Sequence, residues 1–127
     1  MLLNYAIIGL GGALGAMARH GMNAGITALA KTPFPYGILC VNVLGSFLIG
    51  ICAGAFLSIG DPGRTMQLFI MTGFLGGFTT FSTFSLDAVV LAQRGDVAGA
   101  ALYVLGSVGL SIAAVLAGMF LVWRMAA

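Results

Sequence analysis

Three short polar breaks divide this chain into four long apolar stretches. Lys31-Thr-Pro-Phe-Pro35 carries two prolines, Gly60-Asp-Pro-Gly-Arg64 is a strong turn signal, and Gln93-Arg-Gly-Asp96 supplies a third interruption. The stretches between them cover about residues 3–29, 36–59, 65–92 and 97–122. Each exceeds the roughly 20 residues a helix needs to cross ~30 Å of hydrocarbon. The ten-residue alternating pattern of a membrane β-strand is missing. The expected fold is an all-α integral membrane protein, with four transmembrane helices forming one domain over residues 1–127. Charged residues make up 6% of the chain, against about 25% in a soluble domain, so the lipid bilayer is the expected solvent. Little chain remains for an extramembrane head, a nucleotide site or a catalytic domain, and an enzyme is disfavoured. Five basic residues are too few for a nucleic-acid surface. The first residues, Met1-Leu-Leu-Asn-Tyr5, lack the basic region of a signal peptide, so the first span is expected to be retained.

Glycines recur four apart in three spans, as Gly11 and Gly15, Gly50 and Gly54, and Gly73 and Gly77. Small residues at this spacing let helix backbones approach closely in lipid. Cys40 and Cys52 lie in one span, ~18 Å apart along a helix, too far for a mutual disulfide; they read as small apolar residues. With four spans, Arg64 and Arg124 fall on one side of the membrane, Lys31 and Arg94 on the other. Arg19, in or near the end of the first span, shifts that balance by one, so the positive-inside rule fixes no orientation. His20 beside it reads as interfacial. Unbiased insertion, and the small room inside four helices, point to a dual-topology antiparallel homodimer.

The third span contains the most unusual segment. Gly73-Phe-Leu-Gly-Gly-Phe-Thr-Thr-Phe-Ser-Thr-Phe-Ser85 combines glycines, hydroxyls and four phenylalanines where a membrane helix is expected. Gly76 and Gly77 each weaken a helix by roughly 1 kcal/mol relative to alanine, and Thr79 and Thr80 follow. A break near the middle of the third helix is expected there. It would free backbone carbonyls, which are tolerated at that depth only in a protein-lined site. Phe81 and Phe84 are helical neighbours with electropositive ring edges, beside Ser82, Thr83 and Ser85. Asn42 in the second span offers two amide donors. Tyr103, Ser107 and Ser111 form one stripe on the fourth span. For Asn42 a helix–helix hydrogen bond, and for the serines a bond to their own backbone, are the simpler readings. Ring edges, hydroxyls and an amide are otherwise weak anion donors without a full charge, as conduction requires. Asp87 is the one acid within a span, read either as a proton-binding group or as a near-interface carboxylate paired with an arginine. No cluster of His, Cys, Asp or Glu has metal spacing.

Three segments together resemble the Fluc or CrcB family of fluoride channels: Gly12-Ala-Leu-Gly-Ala-Met-Ala-Arg19, Val41-Asn-Val-Leu-Gly-Ser-Phe47, and the Gly73–Ser85 segment. The resemblance covers essentially the whole chain. It implies a dual-topology antiparallel homodimer with two pores, in the bacterial inner membrane, exporting toxic cytoplasmic fluoride passively and with selectivity over chloride. By motif position it implies that Phe81 and Phe84 face the ions, that Asn42 is the pore asparagine, and that Ser82 and Thr83 lie near the fluoride sites. It implies that Tyr103, Ser107 and Ser111 form a polar track and that Arg19 borders an aqueous vestibule. The carbonyls of Gly76 and Thr79 would hold a structural Na+ shared by both subunits. Asp87 stands where many relatives carry glutamate, and His20 replaces an aromatic residue.

Two other readings compete with this one. A small proton-coupled exporter of cationic compounds needs an essential buried carboxylate, for which only Asp87 is available. A non-transporting membrane scaffold subunit has no use for Asn42 or the hydroxyls of the third span.

Overall fold

The computed structural model describes residues 1–127. It is all-helical, with four helices long and apolar enough to cross a membrane: Leu2–Ala30, Tyr36–Ser58, Arg64–Gln93 and Val97–Ala126, here the first to fourth spans. The polar breaks end and restart them for local reasons. The first span stops at Lys31, which adopts the left-handed conformation (φ 51°), before Pro33 and Pro35. Between the second and third spans Gly60 and Gly63 supply positive φ, while Asp61 Oδ1 accepts from the Gly63 N–H and from Gln67 Nε2, each at 2.8 Å. Asp96 caps the fourth span by accepting from the Gly99 N–H at 2.8 Å.

Glycine contacts set the helix pairing. A Cβ at Gly50 would fall on the Val115 carbonyl oxygen, and one at Gly118 on the Phe47 carbonyl oxygen, so the second and fourth spans touch backbone to backbone. Gly11, Gly15 and Gly77 do the same between the first and third spans: a Cβ on Gly15 would meet the Phe74 carbonyl, and one on Gly77 the carbonyl of Gly12. The expected glycine pairs therefore serve close packing.

The third span is not a uniform helix. After one α-helical turn, Leu68–Leu75 is wound as a π-helix, followed by a last turn, Gly76–Phe78. Thr79 (φ −79°, ψ 156°) and Thr80 (φ −151°, ψ 122°) are extended, and an α-helix resumes over Phe81–Gln93. That second piece packs on the fourth span, and Phe84 and Leu91 join Ile38, Ala100 and Tyr103 in a buried cluster.

Candidate functional site

The site is built around the two extended threonines. The Thr80 N–H donates to Asn42 Oδ1 at 2.8 Å, and Asn42 Nδ2 donates to the Thr80 carbonyl at 3.0 Å. One carboxamide thus holds both polar groups of one residue. The Thr80 hydroxyl caps the following helix, accepting from the Thr83 N–H at 3.2 Å and lying 3.2 Å from the hydroxyls of both Ser82 and Thr83. The Thr79 hydroxyl donates back to the Leu75 carbonyl at 3.0 Å.

These bonds redirect the donors that a continuous helix would send to two carbonyls. The Thr80 N–H, which would reach Gly76, goes to Asn42, and the Thr83 N–H, which would reach Thr79, goes to Thr80 Oγ1. The Thr79 carbonyl instead accepts from the Arg19 guanidinium at 3.2 Å. Arg19 lies eleven residues before Ala30, roughly 16 Å along the helix axis. It therefore sits at the depth of the extended threonines and not near the end of its span. His20, the next residue, is exposed.

A cavity of about 300 Å³ lies against this segment. Its wall includes Asn42 and Ser46 from the second span, Gly76, Thr79, Thr80, Phe81 and Phe84 from the third, and Ser107 and Ser111 from the fourth. No charged side chain lines it. The Phe81 and Phe84 rings are neighbours, centroids 5.4 Å apart, but their settings differ: Phe81 is 77% exposed and Phe84 only 7%. Phe84 continues the row inward onto Tyr103, 5.2 Å away. Ser107 is 4% exposed, and its hydroxyl has no partner.

The structure thus brings Asn42, Phe81, Phe84, Ser107 and Ser111 to one wall. Ser82 and Thr83 are held on the Thr80 hydroxyl and do not line the cavity, and the Ser85 hydroxyl donates to the Phe81 carbonyl at 2.8 Å. Tyr103 is fully buried behind Phe84. Its hydroxyl donates to Asp87 Oδ2 at 3.3 Å, so Asp87 has a tyrosine partner in place of the arginine that one of its two readings called for. Thr80 and Ser46 fall within segments singled out in the sequence, the expected break and the Val41–Phe47 motif, but neither is read there as a site residue. Thr80 lies three residues after Gly77 and could have been found as a capping threonine three residues before Thr83.

The wider comparison agrees with the motifs. Residues 6–119 match the family described as CrcB-like protein, Camphor Resistance (CrcB). A fluoride-specific ion channel FluC of Rhodopseudomonas palustris (strain BisB5) is 50% identical over 120 residues, covering 94% of this chain and 97% of that one. A protein of the same name from Cereibacter sphaeroides (strain ATCC 17029) is 50% identical over 119 residues, 94% of each. Fluoride-specific ion channel FluC 2 of Nitrobacter hamburgensis is 44% identical over 120 residues, with 94% and 97% covered. With a match that spans nearly the whole chain and relatives at this level of identity, the chain belongs to the CrcB family.

Proposed function

We propose that this chain is a fluoride-selective channel, and not an enzyme, which exports cytoplasmic fluoride down its electrochemical gradient across the bacterial inner membrane. The observation that carries this reading is the cavity wall, where Asn42, Ser107, Ser111, Phe81 and Phe84 meet with no charged side chain and the buried Ser107 hydroxyl has no partner among the protein's own groups. An unpaired buried hydroxyl costs about 1–3 kcal/mol, and a passing anion would accept from it. Asn42, Ser111, Phe81 and Phe84 surround the same space, and the edge of an aromatic ring is electropositive. Such donors hold an anion without trapping it. The choice of fluoride among small anions follows the names of the relatives. Asp87 is engaged with Tyr103 and does not line the cavity, which favours a channel over an exporter that loads protons on an open carboxylate.

The single four-helix domain works in this reading as an antiparallel homodimer of dual topology. Phe81 is largely exposed beside the cavity, so a second copy would complete the wall, and a twofold pair would have two pores. The interruption of the third span at Thr79 and Thr80 is the functional centre, with Ser82 and Thr83 holding its shape and Arg19 facing a vestibule. A structural Na+ fits the donor chemistry. The Gly76 and Thr79 carbonyls are hard oxygens relieved of their helical donors, and a carbonyl has a second lone pair beyond the one Arg19 takes. Two oxygens are too few to enclose a cation, and a second copy about a twofold axis would bring two more. When bound, the ion supplies fixed positive charge at the subunit boundary.

Purified protein in liposomes tests the function. Fluoride efflux down its gradient is expected only when an ionophore carries compensating charge. No efflux would overturn the channel, and equally fast efflux without the ionophore would point to a coupled carrier. A cysteine placed after Ala127 and labelled from outside should react in about half of the copies for a dual-topology pair; labelling of all or none would remove dual topology.

A further inference from the structure

The aromatic row that begins at the cavity does not end in the membrane. From Phe81 it passes to Phe84 and then to Tyr103, and a fourth ring, Phe34 of the first loop, meets Tyr103 edge-on at a centroid distance of 5.6 Å and an interplanar angle of 84°. Tyr103 is thereby held on three sides. Phe84 lies on one, Phe34 on another, and Asp87 accepts its hydroxyl at 3.3 Å.

The loop is built to present Phe34. Pro33 and Pro35 restrict the backbone on either side of it. The Phe34 N–H donates to the Thr32 hydroxyl at 3.2 Å, and its carbonyl accepts from the Tyr36 N–H at 2.9 Å. Its ring packs against the buried cluster containing Ile38, Phe84 and Tyr103, with the Tyr36 ring 4.7 Å behind it. An aliphatic side chain could fill this volume, but only a ring supplies the edge-to-face orientation that fixes the plane of Tyr103.

We propose that Phe34 is a positioning residue of the anion pathway: by fixing Tyr103 from the loop side it backs the Phe84 ring and so sets the orientation of that ring at the cavity wall. This rests on the fluoride-channel reading. Phe34 does not touch the anion; it acts through two intervening rings.

The test compares Phe34→Leu, which keeps apolar volume without a ring, with Phe34→Tyr, which keeps the ring. Each is purified, checked for an intact fold by circular dichroism and monodispersity, and assayed in liposomes for fluoride and chloride efflux per protein. The expected result is about tenfold slower fluoride efflux and a lower fluoride-to-chloride ratio for Phe34→Leu, with Phe34→Tyr within about twofold of wild type. Combined with Tyr103→Leu, the loss should be no greater than that of the slower single variant, because both act on one ring. A role in packing alone predicts a lower yield of folded protein with normal flux and selectivity per molecule, and that result overturns the proposal, as do multiplying losses in the double variant. If Phe34→Leu does not fold, Phe34→Met replaces it in both comparisons. A wild-type chain that passes no fluoride would overturn the channel reading and this inference with it. A conducting wild type with an unaffected Phe34→Leu overturns this inference alone.

Discussion

Asn42 and Thr80, 38 residues apart, form a closed pair: the amide oxygen of one takes the N–H of the other, and the amide nitrogen gives to its carbonyl. An asparagine can satisfy both backbone groups of an extended residue because donor and acceptor lie side by side at its tip. The pair binds the second span to the only extended residues of the third.

Replacing Asn42 by leucine should leave the N–H and carbonyl of Thr80 without partners in a largely apolar setting. The expected loss is about 2–5 kcal/mol, together with loss of fluoride flux. Thermal unfolding in detergent and the liposome assay check the two effects. Asn42→Asp keeps the acceptor for the Thr80 N–H but turns a second acceptor toward the Thr80 carbonyl, and should lose both flux and stability.

Phe81 and Phe84 should separate stability from flux. Both line the cavity, but only Phe84 is buried. Phe81→Ile is expected to change the stability of the single chain by less than about 0.5 kcal/mol while suppressing efflux. Phe84→Ile should suppress efflux and also lower the melting temperature, since it disturbs the cluster with Tyr103. Equal melting temperatures for the two variants would contradict the different burial.

Ser107 offers a sharper comparison. Its hydroxyl has no partner to lose, so Ser107→Ala should leave stability unchanged or raise it by up to about 1 kcal/mol. If the hydroxyl serves the anion, flux should nonetheless fall. A fall in stability would mean that the hydroxyl is bonded within the protein.

Glycine substitutions should follow the backbone contacts. Gly50→Ala pushes a methyl group onto the Val115 carbonyl and should cost about 1–3 kcal/mol. Gly106→Ala meets nothing within the chain. It should be harmless unless a second copy lies against that face, in which case pairing weakens while the single chain stays folded. Sedimentation in detergent distinguishes these outcomes.

The four spans were legible because hydrocarbon imposes both a length and a composition, and Lys31–Pro35, Gly60–Arg64 and Gln93–Asp96 violate both. Gly11 and Gly15, Gly50 and Gly54, and Gly73 and Gly77 were legible as contact points because a missing side chain has one common use between helices. The partner of Asn42 was not, since any buried acceptor would have satisfied it. Nor could the π-helical winding of Leu68–Leu75 be read from residues that are almost all apolar. Of the two readings of Asp87, the arginine pairing rests on charge alone, and a neutral donor from the neighbouring helix, the Tyr103 hydroxyl, takes that place. Phe34 was hidden because a phenylalanine between two prolines looks like loop punctuation, and its value depends on a ring about 70 residues away.

The extended residues at Thr79 and Thr80 have an electrical consequence. They divide one span into two shorter helices laid end to end, so a negative pole and a positive pole face each other inside the protein where a continuous helix has neither. The negative pole, at the Thr79 carbonyl, already attracts the one guanidinium at that depth. The positive pole opens at Phe81, on the cavity wall. In the proposed channel these two poles would favour a cation on one side of the interruption and an anion on the other through peptide groups that do not titrate, so the preference should persist across the pH range in which the fold survives.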